Sequence, residues 1–352
     1  MNILLVTKNY SGKVISGPVI SINNYINDTL KNNNIIIIDH NSSKKKKIHK
    51  KNLDILCIQN IFILIKNFIK INSIVSKADY VEFHSFFDFF LVLPVIFLSN
   101  LKKKNIKIYL RGMVNDNVFV KKKIIKKLYL YFVKFFFLKE AVIICTSKYE
   151  LNLSSKYFKK NNFIIENNKV SHKYLNVKFK KLNKKKENLK ILFYSNISWK
   201  KNFSFVYDIL INLDFKVELN ICGKCIINEK IFIQMLKNLE TKHLVNFYGY
   251  KGNEDKRSIF YSNHLLFLPT LDENFGHAIV ENFLHYRPCI LSNKTPWADN
   301  EQHNAGYSIP LNQKIKFQKV LKKFFLMKQG DFNQICKASK RYILGKLKTS
   351  NY

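Results

Sequence analysis

Negative charge is what this chain has least of. Its 24 aspartates and glutamates face 60 lysines and arginines, a formal net charge of +36 over 352 residues. Such an excess calls for anionic company: nucleic acid, acidic lipid or anionic small molecules. The basic residues come in short runs rather than in one arm, and Lys, Asn, Ile and Phe are over-used together. A solvated face and attraction to a membrane surface therefore both stand as readings. No recognition helix, zinc module or aromatic RNA-binding signature accompanies the charge, which argues against a nucleic-acid-binding protein.

Other absences narrow the field. The six cysteines (Cys57, Cys145, Cys222, Cys225, Cys289, Cys336) are scattered, which fits free thiols in a reducing compartment better than a disulfide framework. Cys222 and Cys225 have metal-ligand spacing, but no second pair completes a site, so they read as a strand end and turn. There is no Asp-x-Asp motif, and Asp39-His40 and Glu254-Asp255 lack the context of a divalent-metal site. Residues 86–98 are strongly apolar but include Asp88 and Pro94, and fall short of the ~20 residues that span a bilayer. Residues 1–6 run into polar Thr7-Lys8-Asn9 and read as a first strand, not a secretory leader. No transmembrane segment is expected.

What remains is ample for two ordinary domains, since 47 % of the residues are hydrophobic. In the N-terminal part, candidate strands at 2–7, 35–39, 80–84, 106–110, 142–146 and 163–166 alternate with helical stretches near 20–30, 58–71, 86–98 and 122–138. A polar connection at 178–190, centred on Lys184-Lys185-Lys186, reads as a linker. A second alternation follows, with strands at 191–195, 217–222, 245–248, 265–268 and 289–291. Continuous apolar strands alternating with helices predict parallel, doubly wound sheets. The expected domains are 1–177 and 191–330, with a last helix around 332–347 in the closing segment 331–352.

One stretch is more informative than the rest: Pro269-Thr270-Leu271-Asp272-Glu273-Asn274-Phe275-Gly276-His277-Ala278-Ile279-Val280-Glu281. An apolar strand leads in, and past Gly276 the apolar residues recur at helical spacing. A glycine at the start of a helix, with free N–H groups and the positive dipole end, makes an anion site. Glu273 and Glu281 frame it; near phosphate, carboxylates serve as acceptors for sugar hydroxyls.

With seven residues between its two glutamates, this segment resembles the glutamate–seven residues–glutamate motif of the group 1 glycosyltransferases (glycosyltransferase family 4). Thr295-Pro296-Trp297 and Ala305-Gly306-Tyr307-Ser308-Ile309-Pro310-Leu311 resemble further family segments, as does the strand leading to Ser195-Asn196 and Lys201. His84-Ser85 and Arg111-Gly112-Met113 are similar to N-terminal landmarks. The resemblance implies the GT-B fold, two Rossmann-like doubly wound parallel-sheet domains facing a cleft. The first domain would bind acceptor and the second the nucleotide sugar, with the last helix packing back on the first domain.

It also implies roles. Glu273 would contact hydroxyls of the transferred sugar, Asn274, Phe275, Gly276 and His277 would lie against sugar or phosphates through backbone N–H groups, and Glu281 would hold the ribose. Lys201 would bind the diphosphate, where a fixed cation stabilises the departing group. The family's partner arginine falls at Asn196, so one cationic contact is lost or is supplied by Lys200. Gly17 would belong to a loop closing on the ligands, or to a plain turn. His84 would face the cleft, or cap a strand; Arg111 would meet an anionic acceptor, or a neighbouring carboxylate. Residues 121–139 read as a basic, aromatic helix, lying on lipid or covering the core.

The function so implied is a retaining, metal-independent hexosyltransferase-type enzyme. It would move sugar from a nucleotide-sugar donor to a glycan or lipid-linked glycan in bacterial surface polysaccharide (lipopolysaccharide or capsule) biosynthesis. It would need no cofactor and work in the cytoplasm, peripheral on the inner face of the cell membrane. A catalytically impaired GT-B sugar-binding protein is the alternative that Asn196 raises; a GT-B epimerase is opposed by Thr295-Pro296-Trp297.

Overall fold

The computed structural model describes residues 1–10, 17–41, 50–114, 123–138, 140–158, 161–184, 187–251 and 256–349. Two compact units divide the chain, Met1–Val170 and Ser171–Tyr352. The break thus precedes the expected 177/178 boundary.

In the first unit the strands are β1 (Asn2–Lys8), β2 (Asn34–His40), β3 (Leu53–Ile58), β4 (Tyr80–Phe83), β5 (Asn105–Tyr109), β6 (Val142–Cys145) and β7 (Phe163–Ile165). They form one parallel sheet in the order β3-β2-β1-β4-β5-β6-β7. The helices are α1 (Gly17–Thr29), α2 (Ile61–Lys66), α3 (Phe68–Lys77), α4 (Phe89–Leu101), α5 (Lys123–Phe137) and α6 (Lys148–Ser154). Alternate residues of β1 feed different cores. Leu4 and Val6 join α2, α3, α4 and α5 on one face, while Ile3 and Leu5 join Ile22, Tyr25 and Ile26 of α1 on the other. That two-sided burial is why the strands are apolar without interruption.

Two details differ from the sequence reading. Strand β3 at the sheet edge was not expected, and the helix expected over 58–71 is two helices. The Asn60 side chain caps α2 by accepting from the Ile63 N–H, and Asn67, outside the helical region at φ −99 and ψ 8, divides α2 from α3.

The second unit holds β8 (Lys190–Tyr194), β9 (Glu218–Cys222), β10 (Leu244–Phe247), β11 (Leu265–Leu268), β12 (Cys289–Ser292) and β13 (Gly306–Ile309), all parallel in the order β10-β9-β8-β11-β12-β13. Its helices are α7 (His172–Leu175), α8 (Phe203–Ile211), α9 (Glu229–Glu240), α10 (Lys256–Ser262), α11 (His277–Leu284), α12 (Lys314–Leu326) and α13 (Gln329–Thr349). Strand β13 coincides with a segment read only as a motif. Helix α13 packs along α11, with Tyr342 edge-on to Phe283 at 5.3 Å.

The stretch expected as a linker is instead fastened to this unit. Lys184 is buried, its Nζ donating to the Phe325 carbonyl at 3.1 Å, and Gln329 Nε2 donates to the Leu182 carbonyl at 3.1 Å. Buried Arg287 donates to the carbonyls of Lys180, Tyr261 and Asn263. A lysine-rich run looks like a solvated connection in sequence, but its backbone carbonyls are what the unit uses. Among the described residues, no helix is long and apolar enough to cross a membrane.

Candidate functional site

The C-terminal sheet reverses its strand order between β8 and β11, and the loops leaving these two strands open the crevice where doubly wound sheets bind ligands. After β8 the chain passes Asn196 to a 3₁₀ turn, Trp199–Lys201, closed by Asn202 at φ 57. After β11 it passes Asp272 and Glu273 to Gly276 and α11. The two loops are stitched together. The Lys200 carbonyl accepts from the Leu271 N–H at 2.9 Å and from the Thr270 hydroxyl at 2.9 Å. Lys200 Nζ meets Asp272 Oδ2 at 2.9 Å, and Lys201 Nζ meets Glu273 Oε2. Asn202 Nδ2 donates to the Pro269 carbonyl at 3.1 Å.

Lys201 and Glu273, proposed by sequence 72 residues apart, are therefore direct partners. Their side chains are 20 % and 13 % exposed, within reach of a ligand yet held in place. Gly276 is required by its backbone: φ is +73, and a Cβ there would stand 2.8 Å from Ile279 Cδ1. It begins α11: the Ile279 and Val280 N–H groups donate to the Gly276 carbonyl at 2.9 and 3.0 Å, and the positive end of the helix lies at this turn, against Glu273. Phe275 is a structural anchor. Its side chain is buried, its ring lies 5.6 Å from that of Trp297 at 70°, and Trp297 Nε1 donates to its carbonyl. The Thr295-Pro296-Trp297 segment is thus the clamp that fixes the turn. His277 packs against Phe275 at 5.0 Å, and Asn274 lies between them and Glu273 in the chain.

Glu281 lies one turn into α11 and is buried, 5 % exposed, with Lys256 Nζ 3.3 Å from Oε2. Burial pushes its carboxyl above the ordinary range, and Lys256 opposes that. Sequence reasoning did not find Lys256; one lysine among so many carries no signal. Asp272 and Lys294 were missed likewise, the latter accepting from the Glu273 N–H at 2.9 Å through its carbonyl.

Asn196 is exposed, and its Oδ1 accepts from the Lys224 N–H at 3.4 Å. It ties the loop after β8 to the loop after β9. Gly223 is needed there because a Cβ would fall 1.8 Å from the Ser195 carbonyl oxygen. Cys222 ends β9, and the Cys222–Cys225 stretch is this turn.

The first unit has its own reversal, between β1 and β4. His84 follows β4 directly and is sealed: its side chain is 0 % exposed, it stacks on Tyr109 at 4.2 Å and 12°, and its Nε2 lies 3.4 Å from Glu82 Oε2. Burial, with Arg111 nearby, pushes its pKa down to about 4. Its Nδ1 is buried without a hydrogen-bond partner. Arg111 follows β5 at φ 43, strained for a residue with a side chain, and sits 5.3 Å over the Tyr109 ring. Burial pushes it down to about 10, so it stays charged, yet its Nε and Nη1 have no partner. Glu150, the nearby carboxylate, is committed elsewhere: it accepts from Thr146 N–H at 2.7 Å, Thr146 hydroxyl at 2.8 Å and the Gly112 N–H. Gly17 starts α1 at an exposed position where a Cβ would meet nothing, so neither strain nor crowding calls for glycine. The rest of its loop, 11–16, and the Glu254-Asp255 pair lie outside the described residues.

Residues 176–341 match the family of glycosyl transferases group 1. An uncharacterized 41.2 kDa protein in the cps region of Klebsiella pneumoniae is 26 % identical over 248 residues. That match covers 68 % of this chain and 66 % of the relative, so the chain spans just under two thirds of it. Among solved structures, Anabaena HepE in complex with UDP and glucose superposes with a TM-score of 0.71 at 12 % identity, covering 99 % of this chain and 96 % of that one. WaaG, a glycosyltransferase involved in lipopolysaccharide biosynthesis, gives 0.69 at 12 % identity over 97 % and 95 %. At such identity these structures establish the fold, which is GT-B.

Proposed function

We propose that the chain, whose residues 176–341 match the group 1 glycosyl transferases, moves a sugar from a nucleotide-sugar donor to a glycan or lipid-linked glycan, in the making of a bacterial surface polysaccharide. The observation that carries this reading is the Lys201–Glu273 pair poised beside the N-terminus of α11. A sugar diphosphate satisfies both partners at once: phosphate oxygens take the ammonium and the helix N–H groups, and sugar hydroxyls donate to the carboxylate. A relative crystallised with UDP and glucose, and another encoded in a cps region, support the donor class and the pathway.

In this mechanism Lys201 holds the diphosphate, and its charge stabilises the leaving oxygen more as the glycosidic bond breaks than before. Glu273 fixes the sugar, and Glu281, kept charged by Lys256, accepts from the ribose hydroxyls. Attack comes on the face the diphosphate leaves, so configuration is retained and no side chain is nominated as nucleophile. The leaving group needs no divalent ion when Lys201 and α11 neutralise it. Arg111 takes an anionic group of the acceptor.

Ligand-observed NMR with a panel of nucleotide sugars, on wild type and Glu281→Gln, tests the reading without an acceptor. Binding of one donor, weakened about tenfold in the variant, is expected; no binding by folded protein to any donor overturns it. A second reading, a sugar-binding protein with impaired transfer, is favoured by Asn196 in place of a cation. Slow donor turnover that Asn196→Arg accelerates would decide for it.

A further inference from the structure

Helices α2, α3, α4 and α5 all bury their inner sides in one core, so they form a single layer over the N-terminal sheet. Their outer sides are not those of a water-facing layer. More than half of the large hydrophobic side chains exposed among the described residues lie on these four helices, including Phe62 (78 %), Ile69 (84 %), Leu101 (64 %), Ile124 (74 %) and Tyr131 (72 %). On α5, residues 124, 128, 131 and 135 make a helical stripe pointing outward, opposite the inward stripe of Tyr129, Leu130 and Val133. The four helices contain no aspartate or glutamate, and Lys66, Lys70, Lys77 and Lys127 are exposed on them.

Monomers seldom leave so large an apolar surface in water. Its charge decides what covers it. A second copy would set lysine against lysine, and nucleic acid offers nothing to the apolar stripe. A surface with phosphates outside and hydrocarbon beneath satisfies both features, the apolar side chains entering the boundary and the lysine ammoniums reaching the headgroups. We propose that the outer face of the α2–α5 layer is a docking surface for an anionic lipid bilayer. It extends well beyond the single basic helix legible in sequence, and it is independent of the donor chemistry above.

Vesicle co-sedimentation of the full chain tests this with phosphatidylglycerol in phosphatidylcholine against phosphatidylcholine alone. Wild type should bind the anionic vesicles far more tightly, and less so as salt rises. Lys66→Glu/Lys70→Glu should weaken binding by about fivefold or more per position. Ile124→Ser/Leu128→Ser/Tyr131→Ser should weaken it by about tenfold or more, with the melting temperature and nucleotide-sugar binding unchanged. All five positions are solvent-exposed, so folding is not at stake. Two results would overturn the proposal: binding by both variants within about twofold of wild type, or a wild-type dimer that the serine variant turns to monomer.

Discussion

The two units handle charge at their strand-order reversals in opposite ways. In the C-terminal unit the charges are near the surface and matched across two loops, Lys200 with Asp272 and Lys201 with Glu273. In the N-terminal unit they sit among aromatic rings and one is left unmatched: His84 lies under Tyr109 beside Glu82, but the buried Nε and Nη1 of Arg111 have no acceptor. A matched, reachable pair can exchange partners with a ligand that brings both an anion and hydroxyls. A buried, unmatched guanidinium already carries the desolvation cost and gains only when an anion arrives. The first arrangement suits a substrate whose charge changes during reaction, the second a substrate that is merely held.

If that contrast is right, the two units should fail differently when cut. Lys201→Ala should lower kcat by about 10²–10³-fold, the range for removing one preorganised group at a developing charge, with donor affinity reduced much less. An equal loss in kcat and affinity, read from steady-state rates and NMR titration, would place Lys201 in uniform binding instead. Arg111→Lys should act on the other substrate. Replacing a planar fork with a point charge should raise the acceptor KM by about tenfold to a hundredfold, while slow donor hydrolysis without acceptor proceeds unchanged. A fall in donor hydrolysis would remove the division of labour between the units.

The same contrast explains what could be read from sequence. The C-terminal site is built from consecutive residues after two strands, so Glu273, Gly276 and Lys201 stand at spacings that show without a structure, and strand periodicity supplied the sheets around them. The clamp of Trp297 on Phe275 was visible only as a motif, because its purpose lies in a ring contact between positions 22 apart. In the N-terminal unit, Tyr25, Glu82, Tyr109 and Glu166 come from separate elements and meet around His84 only on folding. No spacing records that. Strand β3 escaped because half-exposed edge residues dilute its apolar signal, and the supposed linker misled because its lysines advertise solvent while its carbonyls are used inside.

Acid separates the units more gently. His264 and His285, both in the C-terminal unit, are pushed down to about 4 by burial. His264 Nδ1 accepts from the Lys190 N–H at 2.8 Å, and His285 Nε2 is buried with no acceptor for an added proton. Unfolded histidines bind protons below about 6.5, so the unfolded state takes up more protons and stability falls as pH drops from there toward about 4. Each group contributes about 1.4 kcal/mol per pH unit across that window. The N-terminal unit has His84 working the same way, but Glu150 and Glu166, raised by burial, work against it as they protonate sooner when folded. Glu82 sides with His84: burial alone would raise it, but the imidazole and Tyr25 hold it below its usual value. Glu281, raised by burial, partly offsets the C-terminal loss, but one raised carboxylate stands against three lowered histidines there, since burial pushes His243 down as well. Hydrogen exchange followed by mass spectrometry at pH 7 and pH 5, corrected for intrinsic rates, should therefore show protection lost first in 171–349. His285→Phe, which fits among Phe260, Tyr174 and Tyr261, should reduce that difference and leave the shares of His243 and His264. Earlier loss in the N-terminal sheet would mean that its buried cluster, not the C-terminal histidines, sets the acid limit of the molecule.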